Sequence, residues 1–326
     1  MNPPPATLLN KARRLHILVA KGDLEGVRAH LDGDAAAATW VDARDAEGRT
    51  ALMRAAGSPR AGVDVLRLLL AHGASLEPKR GGGLPAALET SVLKEALRGG
   101  DPDKVRALVE AGASVLYRGT GNYGAPHDAV FGREVRRDPR LLELLSLLLA
   151  LGAQPDLRSD TYGETAVAQL SLLGRYDAVR LLLDAGADAS VLSWTALLRA
   201  AALGSLAELE AALLESPSLE ARDAWGRTAF HVALLAGDLA KAKCLREHEA
   251  VVEAVSEFDS PALLHAVRSG KPEIVRWLLS LGCDPEQVDD LGTSALKAAV
   301  EADQLPMVDE LLRADVNPDG DPPRRA

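Results

Sequence analysis

The nine residues Ala43-Arg44-Asp45-Ala46-Glu47-Gly48-Arg49-Thr50-Ala51 return as Ala221-Arg222-Asp223-Ala224-Trp225-Gly226-Arg227-Thr228-Ala229, with only Glu47 and Trp225 differing. A second mark, a small pair closing a leucine-rich run, stands at Gly73-Ala74, Gly112-Ala113, Gly152-Ala153 and Gly186-Ala187, then as Gly282-Cys283. Self-similarity at a period of about 20–50 residues restricts a chain to solenoids, propellers and related arrays. In such arrays each unit buries its apolar face only against its neighbours.

Each unit reads alike. After Asp-x-x-Gly comes Thr or Ser, an N-cap residue, then an Ala-rich turn, a Gly, a second helix with paired leucines and a closing Gly. Asp160 to Gly174 with Leu182-Leu183, Asp223 to Gly237, and Pro261 to Gly270 with Leu278-Leu279 are the fullest copies. The pattern predicts a finger followed by two antiparallel helices.

These marks resemble the ankyrin repeat, whose units of about 33 residues carry Gly-x-Thr-Pro-Leu-His, then Gly, then Leu-Leu-x-x-Gly-Ala. The resemblance implies an all-α solenoid of about nine stacked helix-turn-helix units joined by β-hairpin-like fingers. Helix starts near Leu15, Thr50, Ser91, Ala125, Thr165, Thr195, Thr228, Pro261 and Ser294 place units near 13–44, 45–77, 78–115, 116–156, 157–189, 190–222, 223–255, 256–288 and 289–314. An extension precedes them at 1–12 and a polar, proline-rich tail follows at 315–326. The family's Pro is replaced by Ala51, Ala166, Ala196, Ala229 and Ala295, which exchanges first-turn preorganisation for helix propensity. The family's His, which bonds the capping Thr, is read only at His231. The wider spacing of the Gly-Ala marks places one insertion in the finger at 78–90 and one between helices at 131–139. In the last unit, Lys297, Glu301, Asp303, Gln304, Asp309 and Glu310 are expected to face outward as a polar cap.

Composition agrees with thin, close-packed helices: 47% of residues are hydrophobic but only 3% aromatic, so the core is aliphatic. The net charge of −10 opposes a phosphate backbone and excludes nucleic acid as the expected partner. Cys244 and Cys283 form no disulfide framework and read as small apolar residues. The first 22 residues are interrupted by Arg13, Arg14, His16 and Lys21, so no signal or membrane segment is read there and a cytoplasmic protein is expected.

Catalytic signatures are absent: the sequence holds no Walker loop, nucleophile elbow or His-Glu-x-x-His helix. Glu247-His248-Glu249 is contiguous, so its side chains diverge on a helix and read as solvated surface. No cofactor and no metal are expected. The basic stretch from Gly132 to Arg140 reads either as an anion site or as an internally paired turn. An enzyme site near 117–139, around Tyr117, Tyr123, His127 and Arg133, is the alternative from another class.

Resemblance makes the expected activity protein recognition through fingers and concave face, by a monomer acting as regulator, inhibitor or immunity factor, or as a secreted host-directed effector. Aligning the units on their caps puts Tyr162, Leu192, Trp225, Phe258 and Leu291 at one finger position. Large apolar side chains there, with Trp194 and Arg227, form either a partner interface or a satellite core. Leu173, Leu203 and Arg268, near the first-helix ends, complete the predicted contact surface.

Overall fold

The computed structural model describes residues 6–77, 91–132, 138–160, 162–215 and 217–313. Their contacts cluster as two compact units, Met1–Ala166 and Val167–Ala326. The insertion at 78–90, Arg133 with its neighbours at 134–137, and the tail at 315–326 lie outside the described residues.

In the first unit the helices are α1 (Ala6–Lys21), α2 (Leu24–Asp32), α3 (Ala51–Gly57), α4 (Val63–Ala71), α5 (Val92–Gly99), α6 (Pro102–Glu110), α7 (Ala125–Val130) and α8 (Leu141–Ala150). Helix α9 (Ala166–Leu172) begins at the division. The second unit continues with α10 (Tyr176–Asp184), α11 (Ala196–Leu203), α12 (Leu206–Leu214), α13 (Ala229–Ala236), α14 (Leu239–Glu247), α15 (Ala262–Ser269), α16 (Pro272–Ser280), α17 (Ala295–Glu301) and α18 (Leu305–Arg313). They form consecutive pairs, as the repeat predicts. In the first unit α1, α3, α5 and α7 stack in that order, with α2, α4, α6 and α8 behind them; in the second, α11, α13, α15 and α17 stack likewise.

Local chemistry explains the punctuation. Thr50, Ser91, Thr195 and Ser294 each accept a bond from the backbone N–H three residues on, satisfying a donor that the first helical turn leaves orphaned. The second helices start on Asp23, Asp101, Ser205 and Asp238, immediately after a turn, and each is capped by its own side chain. Gly22 sits at φ +72° with the Arg60 carbonyl 2.2 Å from where a Cβ would stand, so the turn between α1 and α2 admits no side chain. Replacing the fully buried Thr50 by Ala should cost about 1 kcal/mol, seen as a lower urea midpoint at unchanged slope; an unchanged midpoint would remove the cap from the account.

Two buried lysines act as struts between neighbouring pairs. Lys104 on α6 donates to the carbonyls of Ala55 (2.9 Å) and Ser58 (2.6 Å) at the end of α3, and Lys241 on α14 donates to Ala201 at the end of α11 (3.1 Å). Each ammonium meets the negative end of a helix dipole.

The hairpin-like fingers are short: among the described residues two of them close on single antiparallel bridges, Val255 with Pro261 and Val288 with Ser294. Two expectations are corrected. Within the last pair, Gln304 and Glu310 are buried, Glu310 accepting from Nε and one terminal nitrogen of Arg276 at 2.8 and 2.6 Å, while Val300 and Leu305 face out. Lys297, Glu301, Asp303 and Asp309 are exposed as expected. His231 is not alone in its role: His16, His127 and His231 each bond a carbonyl of the following finger, Ala43, Glu164 and Ala254 respectively. His127 stands three residues after Gly124 as His231 does after Thr228, with glycine in place of the capping Thr.

Candidate functional site

A backbone ladder aligns the fingers of the second unit. The carbonyls of Leu192, Trp225 and Phe258 accept from the N–H groups of Ala224 (3.2 Å), Glu257 (3.0 Å) and Asp290 (2.8 Å). The residues equated by sequence thus share one structural position, yet their side chains diverge. Phe258 is 56% exposed and Leu291 72%, Trp225 is half-buried, and Leu192 is fully buried. Phe258 (φ 59°) and Asp259 (φ 49°) both occupy the left-handed region, which costs a non-glycine residue roughly 1–2 kcal/mol. In the first unit Tyr162 is 77% exposed.

The structure turns two of the sequence-derived contacts inward. Arg227 is only 2% exposed. Its Nε and one terminal nitrogen hold the Asp223 carboxylate at 2.8 and 2.6 Å, while its terminal nitrogens donate to the Ser171 carbonyl (2.9 Å) and hydroxyl (2.8 Å). The guanidinium lies 4.7 Å from the centre of the Trp225 ring. A guanidinium this buried, with four of its five N–H groups engaged by Asp223 and Ser171, is committed to the fold, so Arg227 belongs to the core. Trp194 is half-buried and leans on the buried Tyr176 at 6.1 Å, the satellite-core arrangement. Burial, which outweighs the nearby Arg227 charge, pushes the Tyr176 hydroxyl up to about 12.

The same Arg227 bonds join two repeats that are not adjacent in the chain. Ser171 belongs to the fifth helix pair and Arg227 to the seventh. Just beyond α9, a Cβ on Gly174 (φ +72°) would stand 2.8 Å from the Leu235 side chain and 3.0 Å from its carbonyl, so the turn leading to α10 lies against the end of α13. Leu235 is buried as a result, and Leu172 enters the wall of a small cleft of about 110 Å³ with Trp225, Phe258, Arg268 and Leu291. Leu173 and Leu203 are half-buried, and the Leu203 carbonyl accepts from Arg180. Arg268, 4.0 Å from Asp289 and 3.5 Å from the Ser260 hydroxyl, lines this cleft together with Arg227.

The larger clefts lie in the first unit, where the sequence placed less weight. One of about 1130 Å³ is lined by Lys94, Arg98, Tyr117, Tyr123, Asp128 and Phe131 among others. Asp128 is almost fully buried, taking the Tyr117 hydroxyl, the Arg98 Nε at 3.3 Å and the Lys94 ammonium at 3.7 Å. Burial and this adjacent carboxylate hold the Tyr117 phenol well above its ordinary range, and the hydrogen bond to Glu164 raises that of Tyr123. Protonated phenols locked to carboxylates are not poised bases. His127 is buried in its structural bonds, with burial pushing its pKa down, rather than presented to the cleft. Among the described residues no cluster of three His, Cys, Asp or Glu could hold a metal ion, and no helix is long and apolar enough to cross a membrane.

Comparison with known proteins agrees with this architecture. The family model described as "Ankyrin repeats (3 copies)" matches residues 197–289 and 254–321, and "Ankyrin repeat" matches 47–79. The chain is 31% identical over 239 residues to the "Ankyrin repeat and SAM domain-containing protein 6" of Danio rerio, covering 70% of this chain and 29% of that one. It is 39% identical over 74 residues to the "NAD-capped RNA hydrolase NUDT12" of Homo sapiens, covering 22% and 16%, and 35% identical over 103 residues to "Protein PhlB" of Serratia liquefaciens, covering 32% and 42%. The chain thus spans less than half the length of these relatives. Paired helices capped at the repeat period, fingers joined by a backbone ladder and matches to the repeat in both units make this chain a member of the ankyrin-repeat family.

Proposed function

We propose that the protein is a non-catalytic recognition scaffold that holds a protein partner on the fingers and concave face. The observation that carries this reading is Phe258: a large aromatic, more than half exposed, held at the tip of a finger in a strained left-handed conformation beside the exposed Leu291. Strain of this kind persists where the surrounding structure enforces it and concentrates at ligand-contacting positions. Rigid aromatic area on a projecting turn is the feature that dominates protein interfaces. Tyr162 offers a second exposed aromatic on its own unit. Leu173, Leu203 and Arg268 remain candidates for the margin of the surface, and Trp225 contributes the ring edge that Arg227 leaves uncovered.

The test uses a partner isolated by affinity capture and then purified. Phe258→Ala should weaken its binding by about 2 kcal/mol, near thirtyfold, with the melting temperature unchanged. Trp225→Ala should lower melting temperature as well, because that ring carries Arg227. Full affinity after Phe258→Ala would discard the finger tip as the contact.

A further inference from the structure

Charge is divided unevenly along the chain. Residues 1–166 carry 22 basic and 21 acidic side chains, a net +1, whereas residues 167–326 carry 15 and 26, a net −11, so the second unit supplies the acidity of the chain. In the first unit the large cleft adjoins another of about 570 Å³, and Arg98 and Phe131 line both. Arg49, Arg54 and Arg60 line the second cleft, and Lys94 and Arg118 the first. The acids along the walls are Glu77, Glu95, Asp128 and Glu164, fewer than the six cations.

Pairing sharpens that excess. Asp45 and Glu47, which lie outside the clefts, occupy Arg54, and Glu47 also holds Arg49. Asp128 is a single buried charge shared between Lys94 and Arg98, and Glu164 is engaged by the Tyr123 hydroxyl. Arg118 donates to the neutral amide oxygens of Gln154 and Asn122, and Arg60 is exposed. Cationic capacity therefore remains at Arg60, Arg98 and Arg118, beside the aromatic surface of Phe131 and Tyr123.

We propose that this trough in the first unit binds an extended peptide segment of a partner protein in which acidic residues alternate with apolar ones. The proposal rests on the protein-recognition reading above and names the chemistry of one partner segment. Carboxylates would pair with Arg60, Arg98 and Arg118, Arg98 presenting a planar fork suited to them, while apolar side chains cover Phe131 and Tyr123. Opposed charges also steer the encounter, an effect that falls with ionic strength.

Fluorescence anisotropy on the full chain provides the test, with a labelled twelve-residue peptide of alternating Glu and Leu, its Lys and Leu counterpart, and a twelve-nucleotide oligothymidylate as probes. The acidic peptide should bind at least about tenfold tighter than the basic one and lose at least about fivefold between low and 0.5 M salt. Arg60→Glu, at an exposed side chain, should weaken it about fivefold at unchanged melting temperature, and Arg98→Glu further. Phe258→Ala, in the other unit, should leave this binding unaltered. Equal affinity for both peptides, tighter binding of the oligonucleotide, or indifference to Arg60→Glu would each overturn the proposal. Loss on Phe258→Ala but not on Arg60→Glu would also overturn it, while leaving the finger reading intact.

Discussion

Replacing Arg227 by methionine should lower the stability of the folded chain by about 3–5 kcal/mol, the usual cost of stranding one partner of a buried ion pair. The Asp223 side chain is 0% exposed, so its carboxylate would face neither water nor a cation. The bonds to Ser171 would go as well, releasing the end of α9 from the finger. Asp223 cannot simply be exchanged for leucine in compensation, because one oxygen also accepts from the N–H groups of Trp225 and Arg227, both at 2.9 Å, and shapes the turn. Asparagine keeps that acceptor without the charge. The pair Arg227→Met with Asp223→Asn should therefore recover a substantial part of the loss, in a double-mutant cycle read by urea unfolding. A loss under about 1 kcal/mol for the single variant would mean that water or a rearranged side chain reaches Asp223.

Acid should destabilise the protein before its carboxylates titrate. Burial depresses His231 from 6.5 to about 4, since a charged imidazolium would be sealed from water, and this outweighs the bond to the Ala254 carbonyl, which favours the charged form. His127 is shifted the same way for the same reason. The folded pKa lies below the unfolded one, so the unfolded chain takes up the proton first. The stability contributed by neutral His231 is complete above pH 6.5 and is lost as pH falls towards 4, a total of about 3 kcal/mol. Unfolding midpoints should drop steeply between pH 6.5 and 4.5, and His231→Gln, although less stable at pH 7, should show a shallower drop. A flat profile over that window, or an unaltered slope in the variant, would contradict the assignment. Carboxylates that Arg partners hold low, such as Asp45 with Arg54 and Glu310 with Arg276, add their own loss only at more acidic pH.

Much of the architecture was legible because its causes are local. A capping Thr or Ser, a Gly at the turn and a leucine pair act within one unit, and the caps at Thr50, Ser91, Thr195, Thr228 and Ser294 stand where the sequence placed them. The finger register was legible too, since equal spacing of Leu192, Trp225, Phe258 and Leu291 carries directly into a backbone ladder. The site was legible only in part. Phe258 and Leu291 do face out, but Leu192 and Arg227 do not, and the cationic walls of the first-unit clefts come from Arg60, Arg98 and Arg118, which no single motif unites.

What the sequence determined by itself was the repeat, its helix pairs and the alignment of its fingers, because hydrogen bonds and apolar periodicity within about 33 residues suffice to specify them. Only the tertiary structure decided which aligned side chains meet solvent. Between Tyr162 and Leu192 the finger spacing shortens to 30 residues from 33, and the end of the fifth pair reaches the seventh, Ser171 against Arg227 and Gly174 against Leu235. That contact buries Arg227 and Leu235, which periodicity alone would leave open. Burial is a property of what lies opposite a residue, and in a solenoid the opposite surface belongs to another unit, so no pattern read within one unit can assign it.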